Sequence, residues 1–158
     1  MSGVEGTRAY DGVAVGDQIG ELVVPITRTL VVAGAIASRD YQDVHHDPVL
    51  AAERGSPDIF MNILTTNGLV GRFVTDWSGP GGILRSVSIR LGAPNYPDDT
   101  MTLTGSVSAL LGTEPDGRGL VEVTIKGANA LGDHVVGTVT VALPIAQPSP
   151  EARAKSNL

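Results

Sequence analysis

No cysteine occurs anywhere in the 158 residues. Disulfides, thiolate nucleophiles and zinc–thiolate sites are thereby excluded, and the usage fits a cytoplasmic setting. Histidine is nearly as rare, with three residues, so no metal cluster is expected. Aromatic residues make up only 4%, which leaves Val, Leu, Ile and Ala to build the core. Basic residues number 11 against 17 acidic ones and lie scattered. Without a basic stripe interleaved with aromatics, a nucleic-acid surface is not expected. Long apolar runs are missing too. The stretch Leu30–Ala37 is far too short to span a bilayer, and Met1–Gly20 has no apolar core of a secretory signal. The expectation is a soluble, cytoplasmic protein with no membrane partner.

What is present reads as globular: 42% hydrophobic and 18% charged residues in a length suited to one domain. Residues 1–16 are Gly-rich and weakly patterned, and are expected to form a flexible N-terminal segment. Residues 145–158 follow Pro144 and include Pro148 and Pro150, and are expected to be a disordered tail. The domain proper is placed at 17–144.

Within it, Ile19–Thr27 reads as a strand, and Thr29 as the cap of a short helix ending at Ala37. Asp47-Pro48 is a strong helix start, with the carboxylate at the N-cap, proline in the first turn and Gly55 as the stop. Ser56-Pro57-Asp58 repeats that signal and predicts a long helix from about Pro57 to Trp77. Its apolar face would comprise Ile59, Phe60, Ile63, Leu64, Val70, Phe73, Val74 and Trp77. Gly68 and Gly71 inside it suggest close approach of another backbone. The second half alternates apolar and polar residues around Val87–Leu91, Met101–Val107, Val121–Ile125 and His134–Leu143, the signature of strands. One long helix followed by four or five antiparallel strands is an α+β layout, and wrapping the sheet around the helix buries its wide apolar face.

The chemistry lies in Ser38-Arg39-Asp40-Tyr41-Gln42-Asp43-Val44-His45-His46-Asp47-Pro48. A carboxylate and an imidazole five positions apart, in a loop between helices, are able to converge on one water molecule. Asp40 would stay ionised and orient that water, and His45 would exchange a proton near neutral pH. An Asp and a His in a polar loop are more often solvated or capping residues, so spacing alone is weak support. His46 is expected to be structural or solvent-facing, Asp47 a cap, and His134 with Asp133 part of a hairpin turn. Arg72, Arg85 and Arg90 are candidates for binding phosphate groups, with solvated faces the simpler explanation.

The order of elements, with the loop ahead of the long helix, resembles the MaoC-like hydratases of the hot-dog superfamily. The resemblance rests on Ile26-Thr27, on Ser38-x-Asp40-x-x-x-Val44-His45-x-Asp47-Pro48, on Pro94-x-Tyr96-Pro97-x-Asp99-Thr100 and on Asn129-x-x-Gly132-Asp133-x-Val135-Val136-Gly137. It covers roughly Val15 to Leu143. The family loop usually reads Ser-Gly-Asp-x-Asn-Pro-x-His, so Arg39, Gln42 and Asp43 are departures, as is Met61-Asn62 where the family has His-Gly. Those departures resemble the small MaoC-type subunit of the actinobacterial steroid side-chain enoyl-CoA hydratase, which pairs with a second MaoC-type subunit.

The resemblance implies a hot-dog fold and hydration of a 2-enoyl-CoA thioester. Asp40 and His45 would be catalytic, and the backbone N–H near Asn62 would serve the oxyanion. Ser38 and Gln42 would support the loop. It implies no cofactor, coenzyme A being part of the substrate. The partner would be a second MaoC-type chain or a second copy of this one. The alternatives are a homodimeric hydratase of linear enoyl-CoA, a non-catalytic scaffold subunit, and a hot-dog thioesterase working through Asp76.

Overall fold

A computed structural model describes residues 6–146. Five antiparallel strands form one sheet: β1 (Gln18–Ile26), β2 (Ile83–Leu91), β3 (Asp99–Thr113), β4 (Arg118–Asn129) and β5 (Gly132–Pro144). Their spatial order is β1-β3-β4-β5-β2, so the strands flanking the helical region in sequence become the two edges. Three helices, α1 (Arg28–Ala37), α2 (Pro48–Glu53) and α3 (Ile63–Ser78), lie between β1 and β2 in the chain. The α+β expectation of a central helix with an antiparallel sheet around it is met.

Burial follows the strand period. Along β4, Val121, Val123 and Ile125 are buried while Thr124 and Lys126 are exposed, as a sheet with one covered face requires. In register, Val107 faces Val123, Val123 faces Val139 and Val121 faces Val141, so β-branched side chains pair across three central strands. Val70, Phe73 and Val74 of α3 join them in one core. No helix among the described residues is long and apolar enough to cross a membrane.

Several boundaries differ from the sequence expectations. Thr27, not Thr29, caps α1, accepting from the Leu30 N–H at 3.0 Å. The long helix starts six residues later than Pro57. Residues 58–61 are held out of helix by bonds to distant backbone, Phe60 N–H to Val44 O (3.1 Å) and Met61 N–H to Asn95 O (3.0 Å). Asn62 then caps α3 through its side-chain oxygen, which accepts from Thr65 N–H at 3.0 Å. Starting there puts Ile63 and Leu64 on the outside of the first turn, half exposed, instead of in the core.

The close approach expected at Gly68 or Gly71 occurs elsewhere. A Cβ on Gly68 would meet open space and one on Gly71 only the side chain of Leu84, but one on Gly34 would strike Thr65. Gly34 therefore lets α1 lie against the first turn of α3. In the lead-in, residues Thr7 to Val13 make contacts with the domain. Arg8 N–H donates to Ser78 O, Gly81 N–H to the Thr7 hydroxyl, and Val13 is buried in the core. Pro144 ends β5, and apart from residues 145–146 the expected disordered tail lies outside the described residues.

Candidate active site

Asp40 is placed by the way α1 ends. Arg39 N–H donates to Ile36 O and Asp40 N–H to Ala35 O, the paired bonds of a Schellman motif. Such an ending needs a residue in the left-handed region, and Arg39 has φ +58°. Glycine in the family pattern fits this place without strain; arginine here accepts it. The motif turns the chain so that the Asp40 carboxylate points back along the start of α3.

Three groups fix that carboxylate. The Asn62 side-chain amide donates to Oδ2 at 3.1 Å, the Gln42 N–H donates to Oδ1 at 3.4 Å, and His45 Nε2 lies 3.3 Å from Oδ2. The Asn62 amide also donates to the Ser38 hydroxyl at 2.9 Å, and Ser38 in turn donates to Gly34 O. The Asn62 contact is the main reason the Asp40 carboxyl is held below the ordinary carboxylate value. Burial pulls the other way, and the Gln42 N–H and the field of His45 add smaller downward pushes.

His45 is buried, stacked edge-on against Phe60 with ring centroids 5.0 Å apart. Its Nδ1 sits 2.7 Å from Phe60 O. A carbonyl only accepts, so Nδ1 carries the proton and, in the neutral ring, Nε2 presents a lone pair. That lone pair faces a carboxylate that stays ionised, two acceptors 3.3 Å apart. A water molecule with one hydrogen toward each satisfies both. The pair is thus built to hold and polarise water, or to share a proton.

Ion pairs on the outside steady the loop. Arg54 at the end of α2 pairs with Asp43 at 2.7 Å, and Arg28 grips Asp58 with both terminal nitrogens (3.0 and 2.7 Å). At the entrance to α3 the N–H groups of Ile63 and Leu64, like that of Asn62, find no acceptor among the described residues, the ordinary state of a first helical turn. Asn62 has φ −78°, so the backbone there does not demand the glycine of the family pattern.

The other candidate residues lie apart or play other parts. Gln42 approaches Asp40 only through its backbone; its side chain is exposed, because the extended backbone at 42 turns it outward. Asp47 caps α2, accepting from Val49 and Leu50 N–H. His46 is exposed. Asp76 is an exposed partner of Arg72 two residues before the far end of α3, away from the loop. Arg72 and Arg85 are engaged in ion pairs, and Arg90 is exposed on the edge strand β2. No group of three or more His, Asp or Glu among the described residues is arranged to hold a metal.

Two residues central to the site carried no local signal. Asn62 is a side-chain bridge as well as a backbone position. Asn95, fully buried, bonds Met61 N–H through its carbonyl and is itself held by Asn129, whose amide reaches Pro94 O and Asn95 Oδ1 at 2.9 and 2.8 Å. The two later sequence blocks therefore act as struts for the entrance to α3. His134, expected in a turn, is instead a buried residue of β5.

A five-stranded antiparallel sheet around one long helix, with an Asp/His loop against the helix entrance, defines a hot-dog protein of the hydratase type. No protein-family model matches the sequence. The chain is 46% identical over 129 residues to the 3-oxo-4,17-pregnadiene-20-carboxyl-CoA hydratase beta subunit of Mycobacterium tuberculosis, a match covering 82% of this chain and 95% of that one. Among solved structures, a chain of the ChsH1–ChsH2 complex from Mycobacterium tuberculosis superposes with a TM-score of 0.75 at 47% identity, covering 82% of this chain and 98% of that one. The (R)-hydratase from A. caviae involved in PHA biosynthesis shares the fold, with a TM-score of 0.74 at 24% identity over 84% of this chain and 98% of its own. The chain belongs to the MaoC-like hydratase family and is a hydro-lyase.

Proposed function

We propose that this protein adds water across the double bond of a 2-enoyl-CoA thioester with a steroid side chain, as the catalytic subunit of an assembly with a second MaoC-type chain. One observation carries the chemistry: His45 Nε2 lies 3.3 Å from Asp40 Oδ2 while its Nδ1 is held by Phe60 O at 2.7 Å. A water held between them loses its proton to His45 as its oxygen bonds the β-carbon. The same proton then passes to the α-carbon, so that OH and H are added and nothing else is consumed. General acid–base transfer of this kind contributes about 10² to 10⁴ in rate.

The thioester oxygen gains negative charge as the β-carbon is attacked. The open N–H groups at the entrance to α3, at or beside Asn62, suit that charge, and the helix dipole favours it. Coenzyme A enters as part of the substrate, and the reaction asks for no cofactor. The substrate class and the paired assembly are supported by the hydratase beta subunit at 46% identity and by the two-component complex in which a similar chain is found. A homodimer acting on linear enoyl-CoA and a non-catalytic scaffold subunit are the outcomes to separate from it. The scaffold has the least support, since it would have no use for the Asp40–His45 geometry.

The test is to produce the chain alone and with a MaoC-type partner, and to follow loss of enoyl-thioester absorbance. The substrates are 3-oxo-4,17-pregnadiene-20-carboxyl-CoA and crotonyl-CoA. Turnover of the steroid thioester only in the mixture is expected. Asp40→Asn and His45→Ala should each lower kcat by about 10²-fold or more. Full activity of the lone chain on crotonyl-CoA would select the homodimer. Tight thioester binding without turnover in the mixture would select the scaffold, and wild-type rates in both variants would refute the mechanism.

A further inference from the structure

His134, Thr66 and Asn62 are all buried, at 1%, 0% and 2% exposure, in a core made mostly of aliphatic side chains. They bond in series. His134 Nδ1 lies 2.6 Å from Ala93 O, and its Nε2 lies 2.8 Å from the Thr66 hydroxyl. Thr66 is one helical turn after Asn62, and its N–H bonds Asn62 O at 3.3 Å. Asn62 then reaches Asp40 through its side chain.

We infer that His134 and Thr66 are positioning residues for the proposed active site: a buried bond from sheet to helix sets the first turn of α3, and through Asn62 the orientation of Asp40. The donors decide the direction. Ala93 O can only accept, so the ring is protonated on Nδ1. Nε2 then accepts the hydroxyl proton of Thr66. Only one placement of the helix along β5 satisfies both ends, whereas an aliphatic pair would tolerate sliding. Burial of a polar pair adds little net stability over an apolar pair of the same shape, so its effect is on position.

The anchor point is shared. Ala93 belongs to the segment after β2 that bonds β5 through Gly92 N–H to His134 O and Ala93 N–H to Asp133 O. Two residues on, Asn95 O holds Met61 N–H. The entrance to α3 is thus hung from residues 92–95 by two routes, one through the backbone of Met61 and one through His134 and Thr66. The charged groups on the elements around the ring are exposed: Asp133 and Lys126 on the β4–β5 hairpin, Arg90 on β2, and Arg72 and Asp76 on α3. Burial favours the neutral ring that this bonding needs.

The kinetic arm of the test rests on the hydratase reading; the spectroscopic arm does not. In the full-length chain, the Asp40 carboxyl is followed by carbon NMR against pH, with its resonance identified by Asp40→Asn. Thr66→Val should move the Asp40 midpoint up toward the ordinary carboxylate value. It should lower kcat on the thioester at least tenfold with KM changed less than threefold. Thr66→Ser, which keeps the hydroxyl, should restore both. An unmoved Asp40 midpoint in folded Thr66→Val overturns the inference, as does a rate loss without that shift.

Should Thr66→Val not fold, nitrogen-15 spectra of the wild-type ring decide. A neutral His134 protonated on Nδ1 at pH 7 is required, and a ring protonated on Nε2 overturns the inference. If the wild-type assembly hydrates neither thioester, the hydratase reading fails, while the Asp40 titration still judges the linkage.

Discussion

Replacing Asn62 separates its two tasks. Asn62→Ala removes the cap on α3, whose loss costs typically about 1 kcal/mol. It also removes the hydrogen bond to a charged Asp40, which in a buried site is worth about 1.5–3 kcal/mol. The Asp40 side chain keeps 19% of its surface exposed and can take water in exchange, so about 1 kcal/mol is the fairer share. The sum is about 2 kcal/mol, or a fall in Tm of roughly 4–8 °C for a chain of this size. Asn62→Asp keeps a capping oxygen but sets a second carboxylate against Asp40. At 3.1 Å and an effective dielectric near 20, two unit charges repel by about 5 kcal/mol, an upper figure given the exposed edge. The pair will bind a proton instead, and its folded-state pKa is raised above the unfolded carboxylate value.

The sign follows from linkage. A group whose folded pKa is raised contributes stability at low pH and loses it as pH rises through that value. Asn62→Asp should therefore weaken, relative to wild type, between about pH 4 and pH 8. Asn62→Ala should show a constant deficit over that range. Chemical denaturation at five or six pH values measures both differences. Parallel curves for wild type and Asn62→Asp across that range would refute the reasoning, because they would mean that the Asn62 side chain does not face Asp40 in solution.

Other consequences can be measured on the same material. Arg39→Gly should raise stability by about 0.5–1 kcal/mol, read as a small rise in Tm, because glycine occupies the left-handed position at the end of α1 without strain. Gly34→Ala should cost about 1–3 kcal/mol in denaturant unfolding, since its methyl group must displace Thr65 and part α1 from α3. Wild-type stability should fall as pH drops below about 6.5, because burial lowers the folded pKa of His134 and the unfolded chain takes up the proton first. The slope from this group approaches 1.4 kcal/mol per pH unit, and a flat profile from pH 7 to pH 5 would contradict it.

The Asp40–His45 pair was legible because both residues sit in one short loop bounded by local signals: the Ala-rich end of α1 and the Asp47-Pro48 cap. The strands were legible from their period, and their packing around one helix from the width of its apolar face. The start of that helix was not. Ser56-Pro57-Asp58 is a better local signal than Met61-Asn62, yet the bonds of Phe60 to Val44 and Met61 to Asn95 hold the chain extended past it. Those bonds join residues 16 and 34 positions apart, and no window along the sequence contains both ends. The same holds for Asn62 with Asp40, Asn129 with Asn95, and Thr66 with His134. Local chemistry thus chooses the candidate groups, and long-range polar contacts decide where they point. The departures Arg39 and Asn62 are tolerated for that reason. The first keeps a backbone conformation that glycine merely eases, and the second caps α3 with its own side chain while holding the carboxylate with the other half of its amide.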